Sequence, residues 1–181
     1  MARLAERSGV SRAMISKIER GESSPTAVVL GKLSAAFELS MSTLLSPGPA
    51  ERCETDPADA DHVAATPATG VVRRADATPA WTDPDTGYLR RQVSTPGFPV
   101  DVTEVTLPAG SRVPMPAAAY AFIAQLVWVL DGELTMVDGP DTHVLAPGDT
   151  FELGRPRPRK FANRTRSPCR YLVVVTRRAT A

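Results

Sequence analysis

The sequence has 181 residues, enough for one large domain or two small ones, and its formal net charge of +1 excludes a strong overall attraction to nucleic acid. Any such attraction must come from a local group of charges. The N-terminus has no charged-then-apolar leader, and no apolar run approaches the ~18 residues of a membrane span, so we expect a cytoplasmic protein without a membrane partner. Cys53 and Cys169 lie far apart and predict neither a disulfide framework nor a zinc site.

The stretch 4–21 contains two short helical patterns separated by a turn. Gly9 suits the corner because glycine adopts a positive φ at little cost. Ser11 is placed to cap the second helix by accepting a hydrogen bond from a free backbone N–H. Ile15 and Ile18 lie three residues apart and therefore share one face of that helix. The pattern predicts a helix–turn–helix unit with that face buried.

The opposite face of the second helix carries short, polar or cationic side chains, which suit a helix lying in the major groove of DNA. They are Ser11, Arg12, Ala13, Ser16 and Lys17. The stretch resembles the helix-turn-helix of the lambda-repressor/Cro-like (XRE) transcription regulators. The resemblance rests on Leu4, Ala5, Gly9-Val10-Ser11, Ile15-Ser16, Ile18-Glu19-Arg20-Gly21, Ser24-Pro25 and Leu30. The resemblance implies that the side chains of the outer face contact double-stranded DNA, namely Ser11, Arg12, Ala13, Ser16 and Lys17. The alternative is a helical hairpin whose charges merely face water.

Two further helices complete the predicted head, which spans residues 1–46. Thr26 can cap a helix over 27–37, whose apolar residues recur at helical spacing. Ser40 can cap a short fourth helix that ends at Leu45.

Members of the XRE family carry one more helix before the position of Met1, packed on the faces that Leu4, Val29 and Leu33 present here. The resemblance therefore implies an N-terminally incomplete head. Two explanations are open: the true protein starts upstream, or the head is weakly folded because several buried side chains lose their cover. We favour the upstream start, because the remaining helix signals look undamaged.

Residues 47–70 are rich in proline, alanine and acidic residues and have no apolar period. Such a composition predicts a partly extended linker between two domains. His62 lies within it and is most simply a solvated residue.

From residue 71 to 181 the apolar pattern changes to the period of two that is typical of strands. Candidate strands are 89–93, 102–107, 122–130, 133–137, 142–145, 150–153 and 170–176. Asp131-Gly132 is predicted to join two of them as a tight hairpin, and Pro147-Gly148-Asp149 to form another turn. Short strands separated by such turns indicate a sandwich or a small barrel.

The run VWVLDGELTMVDG at 127–139, followed by LAPGDTFEL at 145–153, resembles the cupin barrel, with Gly132 and Gly148-Asp149 as its anchoring residues. The expected fold is therefore α+β and multidomain: a small all-α helix-turn-helix head, apparently without its first helix, followed by a cupin-like β-barrel over 71–181.

The resemblance also indicates where a cupin metal site would lie. Metal cupins use two histidines and a glutamate from one strand pair, and a further histidine from a later strand. Here the glutamate position falls on Gln125, the paired histidine positions fall within 117–121 (AAAYA), and the later one falls on Arg159. An arginine cannot lose its proton to bind a metal. We expect no metal and no cofactor, and we interpret His143 as a surface residue in a hairpin.

The barrel is expected to keep a pocket. Alternation along 122–130 places Gln125, Val127 and Val129 on one face, and the family register turns that face inward. Gln125 and Tyr120 would then offer hydrogen bonds in an otherwise apolar site, with Val127 in its wall. Gln125 as a buried residue satisfied by the backbone is the alternative.

The sequence after Glu152 is basic and contains no acidic residue. A solvated face is the ordinary explanation. The alternatives are that Arg157 and Arg159 hold an anionic effector at the barrel mouth, or that the basic residues grip DNA phosphates.

We therefore predict a sequence-specific DNA-binding transcription regulator that acts as a homodimer and whose barrel senses a small-molecule effector. The opposite face of 122–130, with Leu126, Trp128 and Leu130, would form either the dimer interface or a core between sheets. No catalytic constellation is visible in the sequence, so the class expected is not an enzyme. The alternatives are a metal-independent cupin enzyme acting on a small polar substrate and a purely structural tail.

Overall fold

A computed structural model describes residues 1–45, 70–95 and 98–177. Most of the predicted linker, including Cys53 and His62, lies outside these ranges, and so does the last basic residue, Arg178.

Four helices form the head, and all four predicted helices are present. They are α1 (Ala2–Ser8), α2 (Arg12–Glu19), α3 (Ala27–Phe37) and α4 (Met41–Leu45). Gly9 ends α1 with a φ of 63°. The hydroxyl of Ser11 accepts a hydrogen bond from the N–H of Met14 at 3.2 Å, and that of Thr26 accepts from Val29 at 3.4 Å. The caps read from the sequence therefore fix where α2 and α3 begin.

Apolar side chains of the first three helices form a small core. Its buried members are Val10, Ile15 and Leu33, of which Ile15 is 3% exposed. Leu4 and Val29, for which we expected a covering helix, are half-buried against this core. No helix in the described ranges is long and apolar enough to cross a membrane.

Within residues 70–95 and 98–177, ten antiparallel strands follow the head and form two sheets. They are β1 (Ala80–Thr82), β2 (Leu89–Gln92), β3 (Asp101–Leu107), β4 (Arg112–Met115), β5 (Ile123–Asp131), β6 (Leu134–Asp138), β7 (Asp141–Leu145), β8 (Thr150–Glu152), β9 (Arg159–Ala162) and β10 (Cys169–Arg177). Three-residue and four-residue 3₁₀-helices occupy Ala75–Ala77 and Ala117–Tyr120. The larger sheet has the order β1-β2-β3-β10-β5-β8, and the smaller has β4-β9-β6-β7.

The sequence pattern did not predict β1, β4 and β9. The strand β4 contains Pro114, which cannot donate a ladder hydrogen bond, and it lies at an edge of the smaller sheet where proline is tolerated. The strand β9 reads RKFA after a proline-rich run, so its short alternation is hidden by two cations. The strand β1 has only three residues.

The predicted hairpin at Asp131-Gly132 is wrong, because β5 and β6 belong to different sheets. The connection crosses from one sheet to the other at Gly132, whose φ is 76°. A Cβ at this position would lie 2.7 Å from the carbonyl oxygen of Pro168 and 2.9 Å from the Cα of Cys169. Glycine is therefore required both by the backbone conformation and by the close approach of the segment before β10.

The barrel core fills the space between the two sheets. The larger sheet contributes Val105, Val127, Val129 and Tyr171, and the smaller contributes Leu134, Met136 and Phe161, each at most 5% exposed. The rings of Phe161 and Tyr171 stack across the two sheets with centroids 5.9 Å apart. The predicted alternation of β5 is confirmed, since Val127 and Val129 point inward whereas Trp128 is 44% exposed. Trp128 is therefore not part of a core between sheets.

The helix α3 packs directly against the barrel. Ala27, its first residue, is 1% exposed and belongs to the barrel core. One turn later, Gly31 lies against Met115 and Pro116, where a Cβ would be 3.2 Å from the Met115 sulfur and 3.4 Å from the Pro116 Cδ. The helix α4 follows and also contacts the barrel, because Met41 packs against the barrel core and the Ser42 hydroxyl lies 2.9 Å from that of Thr103. The head therefore closes one end of the barrel.

Candidate functional site

The helix α2 presents the predicted DNA-contacting face to solvent. Ser11, Arg12, Ala13 and Lys17 are exposed, and Ser16 is half-buried between them and the core. Ile15, on the opposite side, is buried in the head core. Four of the five predicted side chains are therefore exposed to solvent on α2 or at its cap, and two of the four, Arg12 and Lys17, are cations.

Arg20 adds a cation to this surface that the sequence analysis did not assign to DNA. Its Nε and Nη2 donate to the two carboxylate oxygens of Glu22 at 2.6 and 2.9 Å, and its Nη1 donates to the hydroxyl of Ser16. The hydrogen bond from Arg20 lowers the pKa of Glu22, and the same bond raises that of Arg20. Arg20 is therefore held beside Ser16 at the end of α2. Arg20 and Glu22 lie two residues apart, just after the end of α2. The spacing of three or four residues that brings helical side chains together therefore does not predict this pair.

A cavity of about 50 Å³ lies where the head closes the barrel. Its wall is contributed by both parts of the chain. The head supplies Ser34, Ser40, Met41 and Ser42, and the barrel supplies Tyr88, Arg90, Met115, Ala119, Tyr120, Ile123, Gln125, Phe161, Val173 and Val175. The two predicted polar pocket residues, Tyr120 and Gln125, thus line one cavity. Val127 is fully buried in the core beyond this wall.

Tyr120 is buried, and its hydroxyl has no hydrogen-bond partner among the described residues. Burial raises the pKa of Tyr120 well above its ordinary value, and the nearby Arg159 cation opposes that shift. The guanidinium carbon of Arg159 lies 4.7 Å from the centre of the Tyr120 ring, a cation–π contact. The phenol is therefore neutral and available as a hydrogen-bond donor.

The positions of the cupin metal ligands carry groups that do not fit a metal. Gln125 offers a neutral carboxamide where the glutamate would be. Arg159 is 2% exposed, and its Nε lies 2.7 Å from the Asp138 carboxylate, so a cation already occupies this side of the barrel. No group of three or more histidine, cysteine or acidic side chains able to hold a metal occurs in the described parts of the chain. The residues present would repel a divalent cation rather than bind it.

The remaining predicted residues lie apart from the cavity. Arg157 is on the outside of the barrel, 3.8 Å from both Asp138 and Asp141, so the structure does not bring it to Tyr120 and Gln125. Arg159 reaches the ring of Tyr120 but not the cavity wall. His143 is exposed on β7, in the hairpin that β6 and β7 form, as expected from the sequence, and it contacts Phe151.

Arg90 is the cavity residue that the sequence analysis missed. It is 8% exposed and lines the cavity from β2. The segment LRRQ contains two consecutive arginines, and alternation alone does not say which of the two points inward. Only the register of β2 against β3 settles that Arg90 is inside and Arg91 outside, where Arg91 forms an ion pair with Glu104.

The architecture and the exposed face of α2 define a helix-turn-helix domain joined to a cupin barrel. Comparison with known families agrees: a helix-turn-helix profile (HTH_3) matches residues 1–44, and a cupin domain profile (Cupin_2) matches residues 103–175. The chain thus combines an N-terminal region similar to helix-turn-helix domains with a C-terminal region similar to cupin domains.

Two relatives illustrate the extent of the similarity. The chain is 49% identical over 47 residues to the HTH-type transcriptional regulator SutR of Escherichia coli, and the match spans 26% of each protein. An HTH_3 family transcriptional regulator from Vibrio cholerae has a similar structure, with a TM-score of 0.67 at 20% identity over 97% of this chain and 85% of that one.

A cupin described as a predicted oxalate decarboxylase from Thermotoga maritima aligns with a TM-score of 0.52 at 13% identity, over 60% of this chain and all of that one. At this identity the likeness concerns the fold alone.

Proposed function

We propose that the chain is a sequence-specific, DNA-binding transcription regulator whose cupin domain holds two copies together and binds a small-molecule effector. The observation that carries the proposal is the solvent-facing side of α2, where Arg12 and Lys17 are exposed and Ser16 is half-buried, whereas Ile15 is buried in the head core. A capped helix with short polar and cationic side chains on its outer face is the geometry that enters a major groove. The name of the Escherichia coli relative supports the same function for this head.

Local charge supports DNA as the partner. Residues 1–45 contain six basic and four acidic side chains, and one of those acids, Glu22, is paired with Arg20. Arg12 and Lys17 form no ion pair with the described residues, so both are available to phosphates or base edges. Arg12 lies in the first turn of α2, the part of a recognition helix that contacts base edges.

The test is binding to an operator selected from random duplexes. We expect Arg12→Ala to weaken operator binding by about 1–3 kcal/mol and to relax specificity at one base pair. Lys17→Ala should weaken binding to all sequences alike and reduce the salt slope by about one unit. Lys32→Ala is the matched control, because Lys32 is an exposed head cation on α3 rather than α2. Equal loss for Lys32→Ala and Arg12→Ala would contradict the assignment of α2.

We propose that the barrel does not act as a catalyst. The described wall of the cavity offers amide, phenol, hydroxyl and guanidinium groups but no carboxylate or imidazole. The described part of the wall therefore lacks the imidazole and carboxylate groups that most often serve as general acid or base. The groups suit recognition of a ligand by hydrogen bonds and charge.

The dimer is proposed to form through the outer face of the larger sheet. Trp128 on β5 stands beside Leu172 on β10, and Leu126 stands beside Val174, so four apolar side chains adjoin on that face. A helix-turn-helix head binds half-sites as a dimer, and interface cores favour large apolar side chains such as tryptophan. The partner at this face is therefore a second copy of the same chain.

A further inference from the structure

The side chain of Arg90 is buried, and no acidic side chain in the described parts of the chain pairs with it. Its Nη1 donates to the Tyr88 hydroxyl at 2.8 Å, and its Nη2 lies 3.2 Å from the Ser42 hydroxyl and 3.4 Å from that of Thr103. All three acceptors are neutral, and Arg90 forms no ion pair with any carboxylate of the described residues. Burying a cation without a counter-ion is costly, and an incoming anion would remove that cost.

The second buried arginine of the barrel shows the contrast. Arg159 lies 2.7 Å from the carboxylate of Asp138, so its charge is balanced within the protein. Arg90 therefore contributes to the cavity wall a positive charge that no described carboxylate balances, and the same wall contains the neutral Tyr120 hydroxyl, which has no hydrogen-bond partner among the described residues. A guanidinium and a phenol O–H together form a donor set suited to a carboxylate.

The size of the cavity limits what the anion can be. A water molecule needs about 10–15 Å³ of such volume, so 50 Å³ holds a group of only a few atoms, about the size of a carboxylate. The cavity shares Ser40, Ile123 and Val175 with a groove of about 590 Å³ that continues outward beneath α4. Phe98 and Phe122, both largely exposed, line that groove.

The groove is a better place for the apolar part of a ligand than for its charge. Two carboxylates, Glu38 and Asp101, and one cation, Arg177, line it, so its charge balance is negative. The described wall of the inner cavity contains Arg90 and no acidic side chain, so an anionic group is favoured there instead. We propose, building on the regulator function above, that the effector is a small carboxylic acid with an apolar body. Its carboxylate binds Arg90 and the Tyr120 hydroxyl, and its body lies toward Phe122.

The same residues connect the ligand to the DNA-binding head. Ser42 belongs to α4 and accepts from Arg90, and its hydroxyl also lies 2.9 Å from that of Thr103 on β3. A carboxylate bound to Arg90 competes with the Ser42 hydroxyl for hydrogen bonds from the guanidinium, and so changes the contact between the barrel and α4. Because a ligand shifts an equilibrium only through unequal affinity for its two states, this competition is the step that couples effector to head.

The test uses the full chain with benzoate, phenylacetate and hexanoate, and with the corresponding neutral amides as matched ligands. We expect at least one acid to raise the melting temperature and to bind by calorimetry, with its amide at least about tenfold weaker. Arg90→Gln should abolish that difference, whereas Arg91→Gln, the outward neighbour, should retain it. Tyr120→Phe should weaken the acid more than the amide, and this second variant tests the site if Arg90→Gln does not fold.

Operator affinity separates this inference from the proposed function. Wild-type protein that binds an operator but prefers none of the acids to its amide overturns the carboxylate site and leaves the regulator intact. Binding of inorganic phosphate in place of the acids also overturns it. Failure to bind any selected operator contradicts the regulator itself. Where an acid binds, it should change operator affinity in wild type and leave it unchanged in Ser42→Ala; an equal change in both would overturn the coupling through α4.

Discussion

The carboxylate of Asp83, on the loop that follows β1, accepts a hydrogen bond from the backbone N–H of Ala27, the first residue of α3. Asp83 is 2% exposed, and its other oxygen accepts from the N–H groups of Asp85 and Thr86 at 2.8 and 2.9 Å. A barrel side chain thus satisfies one of the free N–H groups at the start of a head helix, next to the side-chain cap from Thr26. Negative charge at this helix end is also favoured by the helix dipole.

Asp83→Ala should loosen the head from the barrel. The change leaves the Ala27 N–H buried without this acceptor and unties the loop, which should cost about 1–3 kcal/mol of unfolding free energy. We expect urea unfolding followed by circular dichroism to show a single transition in wild type and a separate, earlier loss of helix in the variant. Asp85→Ala is the control, because Asp85 is exposed. A variant with unchanged stability would show that the bond contributes nothing to the contact.

Gly31→Leu should disturb the same contact from the middle of α3. A side chain at Gly31 must displace Met115 and Pro116, and such overpacking typically costs about 1–3 kcal/mol. The expected result is a lower melting temperature and faster proteolysis between head and barrel. Glu6→Leu places the same side chain at an exposed position of α1 and should leave both unchanged. Equal behaviour of the two variants would contradict the close packing of Gly31.

Trp128→Ala should separate the dimer while the barrel stays folded. Interface tryptophans often contribute about 2 kcal/mol or more to association, and Trp128 is 44% exposed in the single chain. Light scattering after size-exclusion chromatography should therefore give a monomer, with an unchanged strand signal in circular dichroism. Val144→Ala removes an exposed apolar side chain from the other sheet and should leave the dimer intact. A dimer of unchanged affinity in Trp128→Ala would place the contact on another face.

The purified protein should contain no stoichiometric iron, manganese, nickel or zinc. The expectation follows from the carboxamide of Gln125 and the buried cation of Arg159 at positions where a metal cupin has ligands. Elemental analysis is the direct measurement, and a chelator should leave the melting temperature unchanged. About one metal ion per chain would refute the ligand assignment.

Alkaline pH should destabilise the barrel through Cys169. Burial, with a smaller contribution from the charges of Asp131 and Glu133, raises the pKa of Cys169 from 9.0 to about 11. Between these values the unfolded chain loses the thiol proton and the folded chain retains it. The contribution of this thiol to the free energy of unfolding should therefore be constant with pH below 9 and be lost progressively as pH rises from 9 toward 11.

Cys169→Ala should flatten that pH dependence in urea titrations at successive pH values. Tyr171 acts in the same direction at higher pH, because its complete burial raises the pKa of its phenol. Tyr171→Phe is accordingly the second variant to compare. A slope that is identical in wild type and Cys169→Ala would show that the thiol does not titrate across the unfolding transition.

The sequence predicted what depends on local chemistry. The hydroxyls of Ser11, Thr26 and Ser40 cap α2, α3 and α4 as expected. The Ser40 hydroxyl accepts a hydrogen bond from the N–H of Thr43 at 3.0 Å. The alternation of β5 correctly placed Val127 inside and Trp128 outside. Both signals involve only a few neighbouring residues. A cap satisfies a backbone N–H two or three residues further along, and the side chains of a strand alternate because its backbone is pleated.

What the sequence did not predict depends on pairings between distant segments. Gly132 looks like a hairpin glycine until the partners of β5 and β6 are known, and they lie in different sheets. Arg90 cannot be told from Arg91 without the register against β3, and Ser42 meets Arg90 across 48 positions of the chain. The cavity was foreseen through Tyr120 and Gln125, but its closure by the head was not.

The position of β10 has a consequence for how the protein is made. This strand is the last along the described chain, yet it lies between β3 and β5 in the middle of the larger sheet. While synthesis proceeds, both of those strands keep an unpaired edge until residues 169–177 have left the ribosome. The barrel therefore closes only after residues 169–177 have been synthesised, and a stalled or shortened chain that stops before Cys169 presents two open edges to chaperones, proteases and other nascent chains.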